Sequence, residues 1–147
     1  MVLKHFLQSV YSAVFTLTTI TPALAQDAPA ATFSLQLNNA AEIAEGGCRL
    51  TYVAVNNTGQ DLSGISYQVG VFDTQAIVTD LLVLEFGDIV DGKTKIVQFD
   101  LGGRSCTDIS RITVNIVTVC DLADGGVGDF CMSSLETSSR GAIQFGI

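Results

Sequence analysis

From residue 32 onward, apolar and polar side chains alternate with a period of two in short runs, and the runs are closed by Asn, Asp or Gly. Phe33, Leu35 and Leu37 form one set, Cys48, Leu50, Tyr52 and Ala54 a second, and Ile65, Tyr67, Val69 and Val71 a third. A period of two sends successive side chains to opposite faces of an extended chain, so each run reads as a strand with one buried face. Asn56-Asn57-Thr58-Gly59, Asp73-Thr74-Gln75 and Gly102-Gly103-Arg104-Ser105 have turn or loop chemistry, and Asp91-Gly92-Lys93 reads as a hairpin turn.

The remaining segments complete the pattern. Ile77 to Phe86 is nearly continuously apolar, which predicts a strand covered on both faces. Lys95, Val97 and Phe99 alternate with Ile96, Gln98 and Asp100. Ile109 to Val119 places Ile112, Val114, Ile116 and Thr118 on one face, and Ala142 to Ile147 is a short last strand. Asn38-Asn39 ends the first strand, and Ala40 to Glu45 is expected to form a helical turn that Gly46-Gly47 stops before it reaches a stable length. About seven short strands, with turn signals every eight to twelve residues or so, predict an all-β fold: an antiparallel Ig-like or fibronectin-like sandwich. A small barrel is the second arrangement such a pattern allows. The chain has no tryptophan, which argues against an antibody-type domain with its buried Trp.

At 147 residues there is room for one such domain. Ahead of it, Lys4 and His5 precede an apolar stretch from Phe6 to Ile20, followed by Pro22 and Ala23-Leu24-Ala25. That is the layout of a secretory signal peptide cleaved after Ala25. Gln8, Ser9, Ser12, Thr16, Thr18 and Thr19 dilute the run below the about 20 apolar residues of a spanning helix. No twin arginine is present and no cysteine follows the cleavage site, so the signal reads as Sec-type without a lipid anchor. The expected product is a periplasmic or secreted chain with no membrane insertion, in which residues 26–31 form a disordered lead-in and residues 32–147 a single domain.

Cleavage changes the available chemistry. It removes His5, the only histidine, and leaves fifteen acidic against six basic residues, a net charge of −9. Imidazole is the commonest general base and metal ligand near neutral pH, so Ser-His-Asp, Cys-His and His-metal sites are excluded within one mature chain. The acidic balance argues against nucleic acid as a partner, because binding it requires neutralising phosphates.

An even number of cysteines in a secreted chain points to disulfides. Cys48, Cys106, Cys120 and Cys131 permit three connectivities and are separated by 58, 14 and 11 residues. A bridge between Cys120 and Cys131 closes the shortest loop, leaving Cys48 and Cys106 to join two strands distant in sequence. No Cys-x-x-Cys is present, which argues against thiol redox and closed zinc sites.

Inside the 120–131 loop, Asp121, Asp124 and Asp129 lie among Gly125, Gly126 and Gly128. Carboxylates and backbone carbonyls are the hard oxygen donors calcium prefers, so the three aspartates are candidate ligands, although their spacing fits no EF-hand. Gly125-Gly126-Val127-Gly128-Asp129 is one residue short of the Gly-Gly-x-Gly-x-Asp calcium repeat. A solvated acidic turn is the plainer reading. Asp88, Asp91 and Asp100, with Lys93 and Lys95, read as solvated turn charges rather than a catalytic pair. Asn56-Asn57-Thr58 is formally a glycosylation sequon, read here as turn chemistry. Tyr52, Tyr67, Phe72, Phe86 and Phe99 occur at strand spacing and read as core rather than as a binding surface.

One resemblance rests on named segments. The strand ending in Asn56-Asn57-Thr58-Gly59-Gln60-Asp61-Leu62, the strand Ile65 to Phe72-Asp73, and Asp91-Gly92-Lys93-Thr94 leading to Phe99 resemble the secreted FxLYD-type Ig-like domains. The likeness covers about residues 48–100 and implies an Ig-like fold, with both cysteine pairings and the C-terminal third outside it. The chain as a whole resembles small secreted proteins of alphaproteobacteria, a group that carries no mechanism over. The expected function is a non-catalytic interaction or structural module of the cell envelope with a protein partner. The alternative is a small-ligand or calcium-binding protein that uses the loop 121–129. An enzyme built on carboxylates alone is the third class, and a small domain with no tryptophan to stack sugars speaks against it.

Overall fold

The computed structural model describes residues 30–44 and 46–147, and the expected signal peptide, residues 1–25, lies outside them. Eight strands follow in chain order: β1 (Thr32–Ile43), β2 (Gly47–Asn57), β3 (Leu62–Asp73), β4 (Val78–Ile89), β5 (Thr94–Gly102), β6 (Ile109–Leu122), β7 (Leu135–Ser139) and β8 (Gln144–Gly146). They form two four-stranded sheets, ordered β5-β2-β1-β7 and β4-β3-β6-β8. The chain is therefore the all-β sandwich its period-two pattern predicts. β7 and β8 are the exceptions to antiparallel pairing, running parallel to β1 and β6 at the two edges on one flank.

The alternating sets meet between the sheets. Phe33, Leu35 and Leu37 of β1 and Leu50, Tyr52 and Ala54 of β2 are buried, as are Ile65, Tyr67, Val69 and Val71 of β3. Tyr52 stands at the centre of an aromatic cluster, edge-on to Phe86 at 5.8 Å, to Phe99 at 5.9 Å and to Phe145 at 5.1 Å. Such contacts add specific geometry to apolar burial. Phe72 and Phe99 are both partly buried, but Phe99 packs against the core whereas Phe72 lies outside it, with the Arg111 guanidinium 4.1 Å from its ring centroid.

Four local expectations are corrected. Residues 40–43 do not turn into a helix. Asn38 is accommodated as a bulge, and Ala40 to Ile43 continue β1 by pairing with Leu50 to Gly47. Pairing with β2 overrides local helical preference, and Gly46-Gly47 makes the hairpin. Gly46 takes φ 79°, and a Cβ on Gly47 would sit 2.7 Å from the Leu101 carbonyl of β5.

β4 is not covered on both faces. It is a sheet edge, and Ile77, Val78, Leu81 and Val83 are all exposed. Ile116 does not share the buried face with Ile112 and Val114. Register shifts against β3 insert Asn115 and Thr118 as extra residues, so Ile116 turns outward, Val117 packs against the core and Cys120 is buried. A one-residue bulge moves every following side chain to the other face. Asp91-Gly92-Lys93 is not a hairpin turn, because it carries the chain from β4 in one sheet to β5 in the other.

Both disulfides join the pairs the spacing favoured. Cys48–Cys106 ties β2 to a short 3-10 turn, Cys106–Asp108, and Cys120–Cys131 closes the loop after β6. Glu42 braces the first bridge, accepting 2.6 and 2.7 Å hydrogen bonds from the Ser105 hydroxyl and the Cys106 backbone N–H. These bonds, the Ser105 hydroxyl foremost, hold its carboxyl below the usual range. No helix among the described residues is long and apolar enough to cross a membrane. Two disulfides mark a chain of an oxidising compartment outside the cytoplasm.

Candidate functional site

Three loops meet at one end of the sandwich: β2–β3, β4–β5 and β6–β7. Asn56 organises the first two. It is fully buried, and its amide donates 2.8 Å hydrogen bonds to the Gln60 and Ile89 carbonyls while its Oδ1 accepts from the Thr58 hydroxyl and backbone N–H. The sequon is thus turn chemistry, with its side-chain amide enclosed and engaged. Asp91 Oδ1 accepts from Gly59 N–H, Asp61 Oδ1 accepts from Asp91 N–H, and the Asp61 carbonyl accepts from Ala123 N–H. A cleft of about 340 Å3 between Gly59-Gln60-Asp61 and Leu122-Ala123-Asp124 remains open. Its walls are held by the loops' own hydrogen bonds.

The candidate calcium ligands are not brought together. Asp121, one residue before the end of β6, pairs with Gly64 of β3, Asp124 Oδ1 accepts from Gly126 N–H within its own turn, and Asp129 stands at a separate bend. No group of three or more His, Cys, Asp or Glu side chains among the described residues is gathered to hold a metal ion. Calcium needs six to eight oxygen ligands, and this loop spends its geometry on packing the disulfide instead. A Cβ at Gly128 would lie 2.7 Å from Cys120 Sγ.

The charged residues around the β4–β5 connection are likewise dispersed. Asp100 pairs with Arg49 through two bonds of 2.6 and 2.7 Å, which hold its carboxyl below the usual range, and Asp88 is lowered by its bond from Lys95. Lys93 flanks Gly92 in the turn without gathering a carboxylate pair.

The open surface lies along β4. Among the described residues this strand pairs with β3 alone, so its other edge presents backbone N–H and C=O groups to solvent. Both ends of that edge are guarded. Arg104 reaches from the loop after β5 to form a 2.7 Å ion pair with Asp80. Lys95 of β5 donates a 2.9 Å hydrogen bond to the Asp88 carbonyl, beside the bulge at Gly87, whose φ is 71°. Between the guards, Leu81 and Val83 face outward, 62% and 49% exposed. Long edges with exposed apolar side chains are templates for pairing, and natural sheets blunt them with charges, bulges and glycines. Here the blunting covers the ends and leaves about six residues, roughly 20 Å, open.

Beside this edge, on the outer face of the same sheet, Gly64, Ile65, Ser66, Glu85, Gly87 and Val119 line a depression of about 240 Å3. Sequence reasoning missed the edge because it read the apolar run of β4 as interior. The usable signal was the pair Asp80 and Glu85 set into that run, since a strand buried on both faces does not carry charges. The chain matches no protein-family model, no curated protein and no solved structure.

Proposed function

We propose that this protein is a non-catalytic interaction module of the cell envelope, exported with removal of residues 1–25, that binds another protein by adding an extended segment to β4. The observation that carries the reading is the open middle of β4: a sheet edge with outward Leu81 and Val83, between an ion pair at Asp80 and a lysine cap at Asp88. Strand addition takes affinity from main-chain hydrogen bonds and specificity from alternate side chains, and this edge offers both. The loop end is the poorer candidate, because Asn56, Asp61, Asp91 and Asp124 accept hydrogen bonds from the loops' own groups. The absence of histidine from residues 26–147 supports a role without acid–base chemistry.

The test is capture from the source organism's envelope extract, comparing the tagged chain with a Leu81→Ser, Val83→Ser double variant. Both residues are exposed, so the variant keeps its core. Loss of a stoichiometric partner from the variant is the expected outcome. An identical captured set with both proteins would sink the reading, as would a hydrolase activity of the purified chain abolished by one Asp substitution.

A further inference from the structure

The depression beside β4 has a composition that selects its occupant. Glycines supply part of its floor: a Cβ on Gly64 would lie 3.3 Å from Val119 Cγ1 and 3.6 Å from Asp121 Oδ2. The depression therefore has an apolar side at Val119 and a carboxylate at Glu85, and the Asp121 carboxylate stands next to it, beside Gly64. The other carboxylates on or facing β4 are neutralised, Asp80 by Arg104 and Asp88 by Lys95. Glu85 and Asp121 form no ion pair among the described residues. Lys95 Nζ, the cation near Gly87, is committed to the carbonyl and carboxylate of Asp88, and Arg111 is stacked on Phe72.

We propose that the segment added to β4 is a strand that presents to the outer face of the sheet one Lys or Arg side chain, lying in the depression between Glu85 and Asp121, with apolar side chains two and four residues from it on the same face. This rests on the strand-addition reading above and names the partner's chemistry. A lysine or arginine has the matching form: an aliphatic stem that covers apolar surface and a charged head that stays at the polar rim. Its apolar neighbours on the same face meet Val83 and Leu81 further along the edge. A second copy of this chain is the wrong occupant on charge, since pairing β4 with β4 would join two strongly acidic chains and bring a further Glu85 to the same edge. Electrostatic attraction of this kind speeds encounter and suppresses partners of like charge.

The experiment uses the mature chain, 26–147, and two capped synthetic nonapeptides with Thr at the even positions and Val at the odd ones except the fifth, which is Lys in the first (the Val-Lys peptide) and Glu in the second (the Val-Glu peptide), so that one face carries a single charge flanked by Val in either strand direction. Binding is followed by backbone amide NMR. The Val-Lys peptide is expected to shift the amides of residues 81–87 and 64–66, and to bind more weakly as salt rises. Glu85→Gln is expected to weaken it roughly fivefold, and Glu85→Lys to transfer the preference to the Val-Glu peptide. Equal binding of both peptides at β4, unchanged by Glu85→Gln, would overturn the basic-partner assignment and leave strand addition standing. Shifts confined to residues 121–129, or none at β4 with either peptide, would overturn both. A dimer with β4 amides already protected from exchange would replace the basic strand with a second copy.

Discussion

The Tyr67 hydroxyl donates a 2.7 Å hydrogen bond to the backbone carbonyl of Cys131, fastening the middle of β3 to the disulfide that closes the loop after β6. Tyr52, equally buried, has a hydroxyl with no partner among the described residues. The two tyrosines therefore form a matched test of what a buried hydroxyl contributes. Tyr67→Phe strands a buried carbonyl and is expected to destabilise the fold by about 1–2 kcal/mol. Tyr52→Phe removes an unpaired polar atom and is expected to leave stability unchanged or raise it by up to about 1 kcal/mol. Urea denaturation of the two variants measures both, and an equal loss in each would contradict the assignment.

Alkaline pH probes the same pair. Burial pushes both phenols above their ordinary value, because the phenolate is disfavoured away from water. As pH rises past about 10, the unfolded chain sheds these protons before the folded chain does. Stability is then full below that pH and falls above it, by about 1.4 kcal/mol per pH unit for each tyrosine. Denaturation midpoints from roughly pH 8 to 11 should show the decline, and each phenylalanine variant should flatten it.

Asn56 holds the β2–β3 and β4–β5 loops together through both ends of its amide. Asn56→Ala leaves two carbonyls and an N–H to find new partners in a buried site, an expected loss of about 3 kcal/mol. Asn56→Asp turns a donor into a carboxylate facing the Gln60 and Ile89 carbonyls. Burial among acceptors raises its folded pKa, so its penalty should shrink as pH falls toward the ordinary carboxylate value of about 4. A pH-independent loss in Asn56→Asp would show that the amide does not donate to these carbonyls.

The disulfides differ in the loop each closes. Replacing Cys48 and Cys106 together by Ala is expected to cost about 4 kcal/mol, and replacing Cys120 and Cys131 together about 3 kcal/mol, from sequence separations of 58 and 11. Mapping of non-reduced proteolytic peptides checks the pairing, and thermal unfolding of the double variants checks the order. A larger loss at Cys120–Cys131 would mean that the loop's packing, including Gly128 against Cys120 Sγ, outweighs loop entropy.

Much of this protein is determined within single segments. Alternation assigned Phe33, Leu35, Leu37, Leu50, Tyr52, Ile65, Tyr67, Val69 and Val71 to the interior, because a strand has two faces and apolar residues favour the one away from water. Cysteine count and spacing led to both bridges, since the shorter loop costs less to close. The Asn-x-Thr-Gly signature led to a turn, because Asn and Thr side chains satisfy nearby backbone groups themselves.

Tertiary structure alone decided which strands are neighbours. A run such as Leu81-Leu82-Val83-Leu84 has the same composition whether it lies inside a sheet or at its margin, and only the order β4-β3-β6-β8 places it at the margin. The bulges at Asn115 and Thr118 exist because β6 must keep register with β3, and that constraint turns Ile116 outward against its local pattern. The site follows from the same long-range choice. Glu85 and Asp121, 36 residues apart, flank one depression because β3 lies between their strands, with Gly64 supplying no side chain to fill the gap. Local sequence sets which face of a strand avoids water, whereas strand order is a non-local packing choice that no single segment encodes.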